Sequence, residues 1–494
     1  MSMTNLIAMP LVLPILMAVL LIFLRNYRYV QRVLVVVTLL VMIGMSIVLL
    51  QHVHTDGILR LDFGGWQPPF GILFVADPFA VLLVLIATIV TLFCMVYAFS
   101  SFSARYERMF AYPLMLLMLA GVNGSFLTGD IFNLFVCFEV MLLASYALIA
   151  LGGRTEQLRE SLKYVITNII ASWLFLVAIA FLYGTIGTLN MAHIAQRVQE
   201  VGPDPLITTI ALFFLIVFAL KGGLLLFFWL PGSYSVPPVP IAAMFGALLT
   251  KVGMYAIIRT FTLMFTTQPE ITHQLITIMA IITLIAGSLG ALAYRDIRQI
   301  AAFNVIIGVG FVLLALGANN EAAYAGAIYY MMHDMVGKAM LFLICGTMIY
   351  LTKQERYDDM SGLIRHYPLF GWMFLVVMVS LTGMPPFSGF VGKVMMGEGL
   401  VASGSYVSLA IGFGASVIIL YSLLRVMLHA IFGETMIADE DKVKLPKPML
   451  LSIVALGAVS LYLGTSAEMV LPYVTDAARV LADPSIYIEA ILGE

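Results

Sequence analysis

The sequence predicts an all-α polytopic membrane protein with about fourteen transmembrane helices. Of its 494 residues, 62% are hydrophobic and 11% are charged, whereas soluble globular chains contain about 45–50% apolar and about 25% charged residues. Apolar runs of about 20 residues, the length that spans a bilayer core, recur from end to end. The short alternating segments of a transmembrane β-barrel are missing from the pattern.

Fourteen apolar runs, separated by short polar or Gly/Pro-rich connections, are the predicted spans. The connections leave no room for an inserted soluble domain. The first run is long enough to span and has no small-residue cleavage site before a polar domain, which favours a membrane helix over a signal peptide. The spans are residues 4–24, 30–50, 74–99, 111–128, 130–151, 163–184, 206–230, 237–264, 272–293, 299–317, 322–350, 368–396, 407–431 and 448–466.

Lysine and arginine residues between these spans fall mostly on one side of the membrane. Sixteen on one side against four on the other fits the positive-inside rule, which makes the rich side cytoplasmic and places both termini outside. The rich side receives Arg25, Arg28, Arg32, Arg105, Arg108, Arg154, Arg159, Lys163, Arg295, Arg298, Lys353, Arg356, Arg365, Lys442, Lys444 and Lys447. The other side receives Arg60, Arg197, Arg259 and Arg479.

Ionisable residues also lie deep inside the spans. A charged residue costs about 2.5–3.5 kcal/mol at the centre of an inserted helix, so these groups must face one another, face water or change protonation. A lysine that alternates between neutral and charged forms carries a proton. A chain of such lysines, bridged by water, would be a path for protons. For any single lysine, the structural alternative is a bond to backbone carbonyls that locks two helices. The residues are Glu139, Lys221, Lys251, Lys338 and Lys393, with His333 and Asp334 beside them in the eleventh span.

Two spans are expected to be broken, the seventh at WLPGSYSVPPVP (229–240) and the twelfth at SLTGMPPFSGF (380–390). Freed backbone groups at membrane depth need protein or a water-filled cavity around them. The alternative for one break is a proline kink without function, which is weaker for two breaks in matching places. The predicted break residues are Pro231, Pro237, Pro238, Pro385 and Pro386.

Spans 4–8 and 9–13 begin on opposite sides of the membrane, which predicts two inverted five-helix repeats with helices 7 and 12 discontinuous. The match is imperfect, because Glu139 in the first unit corresponds to a tenth span that offers only Asn304. The predicted division is N-terminal helices 1–3 (1–110), the first unit (111–265), the second unit (271–432), and helix 14 with the tail (448–494).

Other site types are not indicated. Cys94, Cys137 and Cys345 all lie in apolar runs, and there is no CxxC, P-loop or GxGxxG motif. We therefore expect no disulfide, no metal site and no cofactor. A net charge of −2 argues against a nucleic-acid partner. The segment 433–447 is predicted to be a charged cytoplasmic loop.

Five segments together resemble one family, the antiporter-like membrane subunits shared by respiratory complex I, membrane-bound hydrogenases and Mrp cation/proton antiporters. The resemblance covers nearly the whole chain, is strongest from about 110 to 400, and is closest to the Mrp branch. Complex I relatives more often have a histidine near the seventh-helix break, where this chain has Phe227 and Phe228. The segments are FEVMLLASY, ALKGG, WLPGSYSVPPVPIAAMFGALLTKVGMY, HDMVGKAMLFLICG and GMPPFSGFVGK.

The resemblance implies a role for each buried charge. Glu139 and Lys221 match a coupled pair in which the carboxylate tunes the amine, and Lys251 and Lys338 match relay positions. Lys393 matches the terminal residue that exchanges with one aqueous side. The family's histidine four residues before the eleventh-helix lysine is replaced by Asp334, with His333 adjacent, so which of the two faces the path stays open.

The resemblance further implies a proton-translocating subunit of a multisubunit Na⁺/proton antiporter, a secondary transporter without cofactors in a bacterial cell membrane. Its partners would be the lipid bilayer, protons, Na⁺ and the A-, B-, C-, E-, F- and G-type subunits of an Mrp-type complex. One alternative is a proton-pumping subunit of a complex I-like or hydrogenase-type redox complex. Another is a scaffold that only packs between active subunits.

Overall fold

The computed structural model describes residues 3–434 and 442–493. Within these ranges the chain forms 22 α-helices and one two-stranded antiparallel sheet. Of the predicted loop 433–447, residues 435–441 lie outside the described residues. The all-α multi-pass membrane fold is confirmed.

The helices follow the apolar runs of the sequence, and the small sheet lies in the connection between residues 56 and 78. The helices are α1 (Met3–Leu6), α2 (Met9–Phe23), α3 (Arg28–Asp56), α4 (Pro78–Ser101), α5 (Ala104–Arg108), α6 (Ala111–Leu127), α7 (Ile131–Ala150), α8 (Thr155–Ile186), α9 (Met191–Val201), α10 (Pro205–Gly222), α11 (Leu230–Ser235), α12 (Val239–Met264), α13 (Pro269–Ala293), α14 (Ile297–Leu316), α15 (Glu321–Thr352), α16 (Leu363–His366), α17 (Pro368–Thr382), α18 (Ser388–Ala402), α19 (Tyr406–Ile431), α20 (Lys447–Thr465), α21 (Ala467–Ala482) and α22 (Pro484–Leu492). The strands are β1 (Leu59–Asp62) and β2 (Leu73–Ala76).

Eleven of the described helices are long and apolar enough to cross a membrane. Three shorter apolar helices, α2, α6 and α17, lie at the first, fourth and twelfth predicted spans. The helices therefore follow the predicted spans in order. The exact count of fourteen crossings and the inverted repeat stay predictions.

Short polar side chains set where several of these helices begin. Asp77, Asp130, Asp204, Asp296 and Asn320 each precede a helix and accept a hydrogen bond from one or more of its first backbone N–H groups. Those N–H groups have no partner within the helix, so a capping oxygen stabilises the end. The polar connections thus define the helix starts as well as the loops.

The centre of the bundle is formed by α4, α12, α14 and α15, whose apolar stretches are the most buried. The outer helices expose large apolar side chains such as Leu143, Trp173 and Leu289. Those surfaces suit lipid tails, which are as apolar as leucine. The charged residues of α12 and α15 therefore lie in the most buried part of the protein.

The seventh span is interrupted earlier than the prolines predicted. The α10 helix ends at Gly222, residues 223–229 are not helical, and Pro231 lies in the first turn of α11. The first turn tolerates proline because its N–H would have no helical partner there. Pro237 and Pro238 separate α11 from α12. Pro385 and Pro386 separate α17 from α18.

Arg259, which the charge count assigned to the outer side, does not lie in a loop. This residue lies inside α12, is 2% exposed, and its Nη2 is 2.6 Å from Asp77 Oδ2. Its guanidinium also donates hydrogen bonds to Tyr255 Oη. A buried arginine needs such a carboxylate partner, and the two residues are far apart in the sequence.

Two glycines bring the end of α10 against the middle of α12. A Cβ built on Gly253 would lie 2.6 Å from Gly222 N, closer than real Cβ contacts come. Lys221 and Lys251, each within two residues of this crossing, are thereby brought to the same level of the bundle. A side chain at either glycine would push the two helices apart.

We expect Gly253→Ala to destabilise the protein by about 1–3 kcal/mol, because the added methyl group overpacks a backbone contact. The measurement is the midpoint of thermal unfolding of the purified protein.

Gly184→Ala is the matched control, since a Cβ at this glycine of α8 meets nothing within 4 Å. It should leave the midpoint unchanged or raise it slightly. Equal midpoints for the two variants would contradict the close crossing of α10 and α12.

Candidate functional site

The first cluster joins Glu139 of α7 to Lys221 of α10 through Ser172 of α8. The Lys221 Nζ donates to Ser172 Oγ at 2.9 Å, and Ser172 Oγ donates to Glu139 Oε1. Lys221 is buried and Glu139 is partly buried. The resemblance implied that the acid and the amine form a pair, but it did not imply the hydroxyl that connects them.

The position of Lys221 stabilises its charge. It lies in the last turn of α10, where the unpaired carbonyls and the helix dipole favour a cation. Its Nζ also lies 5.1 Å from the centre of the Phe138 ring, within cation–π range. The break after Gly222 therefore creates a site for an ammonium group within the bundle.

The second cluster is a carboxylate between two amines, all at 0% side-chain exposure. Asp334 Oδ2 lies 2.6 Å from Lys251 Nζ, and Asp334 Oδ1 lies 3.1 Å from Lys338 Nζ. Asp334 and Lys338 are one turn apart on α15, which puts them on one face. Two cations share one anion, so the cluster carries one positive charge when all three groups are ionised.

A π-helical turn supplies a further acceptor to Lys251. Residues Phe245–Leu249 form this turn within α12. The Lys251 Nζ donates to Gly246 O at 2.9 Å. Such turns displace the regular backbone pairing and are frequent at functional sites. The hydrophobic periodicity of this segment carries no signal for the turn.

The third cluster is built on the twelfth-span break. The Lys393 Nζ of α18 donates to the carbonyls of Leu381 (3.1 Å) and Thr382 (2.8 Å), the last two residues of α17. It also donates to Ser416 Oγ of α19 at 2.8 Å. Carbonyls at a helix end have no partner within the helix, so the ammonium satisfies them and meets the negative end of the dipole.

His333 points away from the lysine pair, toward a row of hydroxyls. Its Nδ1 is 2.8 Å from Ser388 Oγ, which is 3.0 Å from Ser460 Oγ, which in turn is 2.6 Å from Ser380 Oγ. This chain joins α15 to α17, α18 and α20, and all four residues are buried.

His333 and Lys393 both lie against the Tyr330 ring. The His333 ring centre is 5.3 Å from it, and Lys393 Nζ is 5.8 Å from it. Since His333 adjoins Asp334 on α15, the second and third clusters are neighbours. Asp334 faces the lysines and His333 faces the break.

The structure thus brings the predicted residues into three clusters, with Asp334 between Lys251 and Lys338. It adds hydroxyl groups that sequence reasoning missed: Ser172, Ser380, Ser388, Ser416 and Ser460. A serine inside an apolar helix usually bonds its own helix backbone, so the sequence offered no signal for them. Amines and acids arranged in this way can bind and release protons, and neighbouring charges couple strongly in such surroundings.

The whole chain is similar to known membrane proteins. Residues 128–419 match a family model described as "NADH:quinone oxidoreductase/Mrp antiporter, TM". The D-type subunit of the Na⁺/H⁺ antiporter of Bacillus subtilis is 45% identical over 493 residues, and that of Alkalihalophilus pseudofirmus is 43% identical over 493 residues. Both alignments cover 100% of this chain and 100% of the relative. The predicted family is confirmed.

Solved structures agree with these matches. A chain of the Mrp complex from Dietzia sp. DQ12-45-1b superposes with a TM-score of 0.94 at 27% identity, covering 100% of both chains. A chain of the membrane-bound sulfane sulfur reductase, an archaeal respiratory membrane complex, superposes with a TM-score of 0.91 at 25% identity. That alignment covers 98% of this chain and 99% of the other.

We expect Asp334→Asn to destabilise the protein by about 3–5 kcal/mol, because it leaves two buried amines without a counter-charge. The measurement is the thermal unfolding midpoint and the yield of folded protein. Adding Lys251→Met to this variant should recover part of the loss, since one unpaired charge is then removed.

Asp358→Asn is the control, because its partner Arg295 is largely exposed and such pairs contribute about 1 kcal/mol or less. Similar losses for Asp334→Asn and Asp358→Asn would refute the proposed charge balance, as would a double variant no more stable than Asp334→Asn.

Proposed function

We infer that this chain, which belongs to the NADH:quinone oxidoreductase/Mrp antiporter family of transmembrane subunits, is the proton-translocating subunit of a Na⁺/H⁺ antiporter. The observation that supports this most is the set of buried amines and acids joined in three clusters. Burying each charge inside a membrane costs free energy. A purely structural link between helices would need fewer buried charges.

The proposed path runs along the bundle from Glu139 and Lys221, through Lys251, Asp334 and Lys338, to Lys393, with His333 as a branch. Ser172 carries the hydrogen bond within the first cluster. Water molecules connecting the clusters are part of the proposal. The close crossing of Gly222 and Gly253 supports the step from the first cluster to the second.

In this proposal, electrostatic coupling between neighbouring charged groups moves protons from one cluster to the next. Two unit charges 4 Å apart interact by about 4 kcal/mol at an effective dielectric constant of 20. A proton that arrives on Lys251 therefore weakens the hold of Asp334 on Lys338, because the carboxylate is shared. Protonation at one cluster then favours release from the next, which moves charge without a large motion of the helices.

We propose that the chain works within an Mrp-type complex with A-, B-, C-, E-, F- and G-type subunits, in a bacterial cell membrane with both termini outside the cytoplasm. The names of its Bacillus and Alkalihalophilus relatives support Na⁺ as the exchanged ion. In this proposal the chain is a transporter subunit and catalyses no covalent reaction. The four-part division with inverted units at 111–265 and 271–432 belongs to the same proposal.

A second candidate is a proton-pumping subunit of a redox complex. The similarity to one polypeptide of the archaeal respiratory membrane complex supports it. The two candidates differ in what drives the protons. An antiporter exchanges Na⁺ for H⁺ under an imposed pH gradient with no electron donor or quinone present. A redox pump moves protons only while electrons are transferred.

We expect Lys221→Ala and Glu139→Ala to abolish Na⁺/H⁺ exchange while the complex still assembles. The reason is that each removes a proton-binding group of the first cluster. The measurement is Na⁺-dependent dissipation of an imposed pH gradient in vesicles containing the purified complex. Lys444→Ala is the control, since this lysine is exposed. A scaffold role predicts normal exchange by all three variants, and such a result would end the proposal.

We expect Ser172→Ala to slow exchange by about ten-fold or more, because it breaks the bond between Glu139 and Lys221, and hydrogen bonds to charged groups contribute about 1.5–3 kcal/mol. The same vesicle assay measures it. Ser172→Thr keeps the hydroxyl and should retain most of the activity. An unimpaired Ser172→Ala variant would remove the hydroxyl from the path.

A further inference from the structure

The interrupted seventh span contains a buried tryptophan that the proposed path does not use. Trp229 is the last residue before α11 and is 2% exposed. Its indole Nε1 donates a hydrogen bond to Leu220 O in the last turn of α10, at 3.0 Å. The segment 223–229 therefore folds back, so that its last residue bonds the helix from which the segment departs.

This bond satisfies a carbonyl group that the end of α10 leaves without a helical partner. The last four carbonyls of a helix have no partner within it. The backbone N–H groups of Gly223 and Leu224 both donate to Ala219 O, and the indole donates to the next carbonyl, that of Leu220. Lys221 follows Leu220 directly, so the indole acts on the turn of backbone that carries the amine.

The end of α17, at the second break, is completed by a different kind of donor. Backbone N–H groups after this helix donate to Val379 O, and Lys393 Nζ donates to the final two carbonyls, those of Leu381 and Thr382. A titratable ammonium group therefore bonds the carbonyls at the second break. At the first break a neutral indole N–H does so, and this group is a donor only.

The lysines of the two breaks differ accordingly in their partners. Lys393 bonds the end of a broken helix, whereas Lys221 Nζ donates to Ser172 Oγ at 2.9 Å, and this hydroxyl donates to Glu139. A lysine in the last turn of a helix can itself bond the last carbonyls. Because Leu220 O is already bonded to the indole, this carbonyl competes less for the ammonium group of Lys221.

Aromatic packing holds the indole against the helices that supply the partners of this amine. The Trp229 ring centre lies 5.4 Å from that of Tyr164 on α8, within the range of aromatic pairs. Tyr164 and Ser172 are separated by about two turns of α8 and so lie on similar faces. The Tyr164 Oη is also 2.8 Å from Ser145 Oγ of α7. The indole is thus fixed relative to both α7 and α8.

We propose that Trp229 is a positioning residue for Lys221. Its indole N–H occupies the Leu220 carbonyl and fixes the last turn of α10. The ammonium group of Lys221 is thereby directed to Ser172 and, through it, to Glu139. This inference rests on the proposed function, in which the amine and the acid of the first cluster bind protons. The indole binds no proton, so Trp229 sets the partner of the amine without being part of the path.

The first experiment removes the indole N–H and keeps an aromatic ring. Trp229→Phe should slow Na⁺/H⁺ exchange by the assembled complex in vesicles about three- to ten-fold, the factor that one hydrogen bond between neutral groups supplies. Benzothienylalanine at position 229 replaces only the N–H by sulfur and should have the same effect, whereas fluorotryptophan keeps the N–H and should retain the rate. Trp372→Phe is the control, because this residue is exposed on α17. Unchanged exchange with benzothienylalanine would overturn the proposal, including where Trp229→Phe fails to assemble.

A double variant tests whether Trp229 acts through Lys221. If the indole directs this amine to Ser172, removal of the Ser172 hydroxyl leaves it no bond to direct. Trp229→Phe combined with Ser172→Ala should therefore exchange no more slowly than Ser172→Ala alone. A ring that only stabilises the packing would multiply the two losses, and that result would overturn the proposal.

Further outcomes separate this inference from the proposed function. Normal exchange by Lys221→Ala would overturn the path itself. Loss of exchange by Lys221→Ala, with unimpaired exchange by Trp229→Phe, would overturn only the role of Trp229. A density map of the Trp229→Phe complex gives a readout independent of activity. Lys221 Nζ should move away from Ser172 Oγ in that map, and an unchanged bond between them would refute the positioning role.

Discussion

The interior of this protein depends on the interaction of the Asp334 carboxylate with two lysines. It lies between Lys251 and Lys338 in the most buried part of the bundle. Without it, α12 and α15 would each carry an amine that apolar surroundings cannot hold charged. With it, two amines share one anion, and the surplus positive charge can shift between them.

The broken helices solve the same problem by another means. Lys221 lies at the end of α10 and Lys393 bonds the final carbonyls of α17. For Lys393 the partial negative charge of a half-helix end takes the place of a carboxylate, and for Lys221 it acts together with Glu139, which Ser172 connects to the amine. A dipole binds an ammonium less tightly than a fixed anion does, which suits a group that must also release its proton.

The fold class and the identity of the ionisable residues followed from the sequence alone. Hydropathy is a local property. A charged residue within an apolar run can therefore be identified from the sequence, whatever that run packs against in the fold. The helices follow the predicted spans for this reason. The interruption at residues 223–229 was missed because the prolines outweighed Gly222 and Gly223. The ion pair of Arg259 was missed because its partner Asp77 lies in a distant connection.

Only the tertiary structure decided which groups meet. That Asp334 faces the lysines while His333 faces the serines depends on how α15 is rotated against α12 and α18. That Ser172 joins Glu139 to Lys221 depends on three helices meeting at one level. Such contacts are set by packing between segments distant in the chain, where small residues such as Gly222 and Gly253 determine how closely two backbones approach. The order of residues along the chain does not show which backbones approach each other in this way.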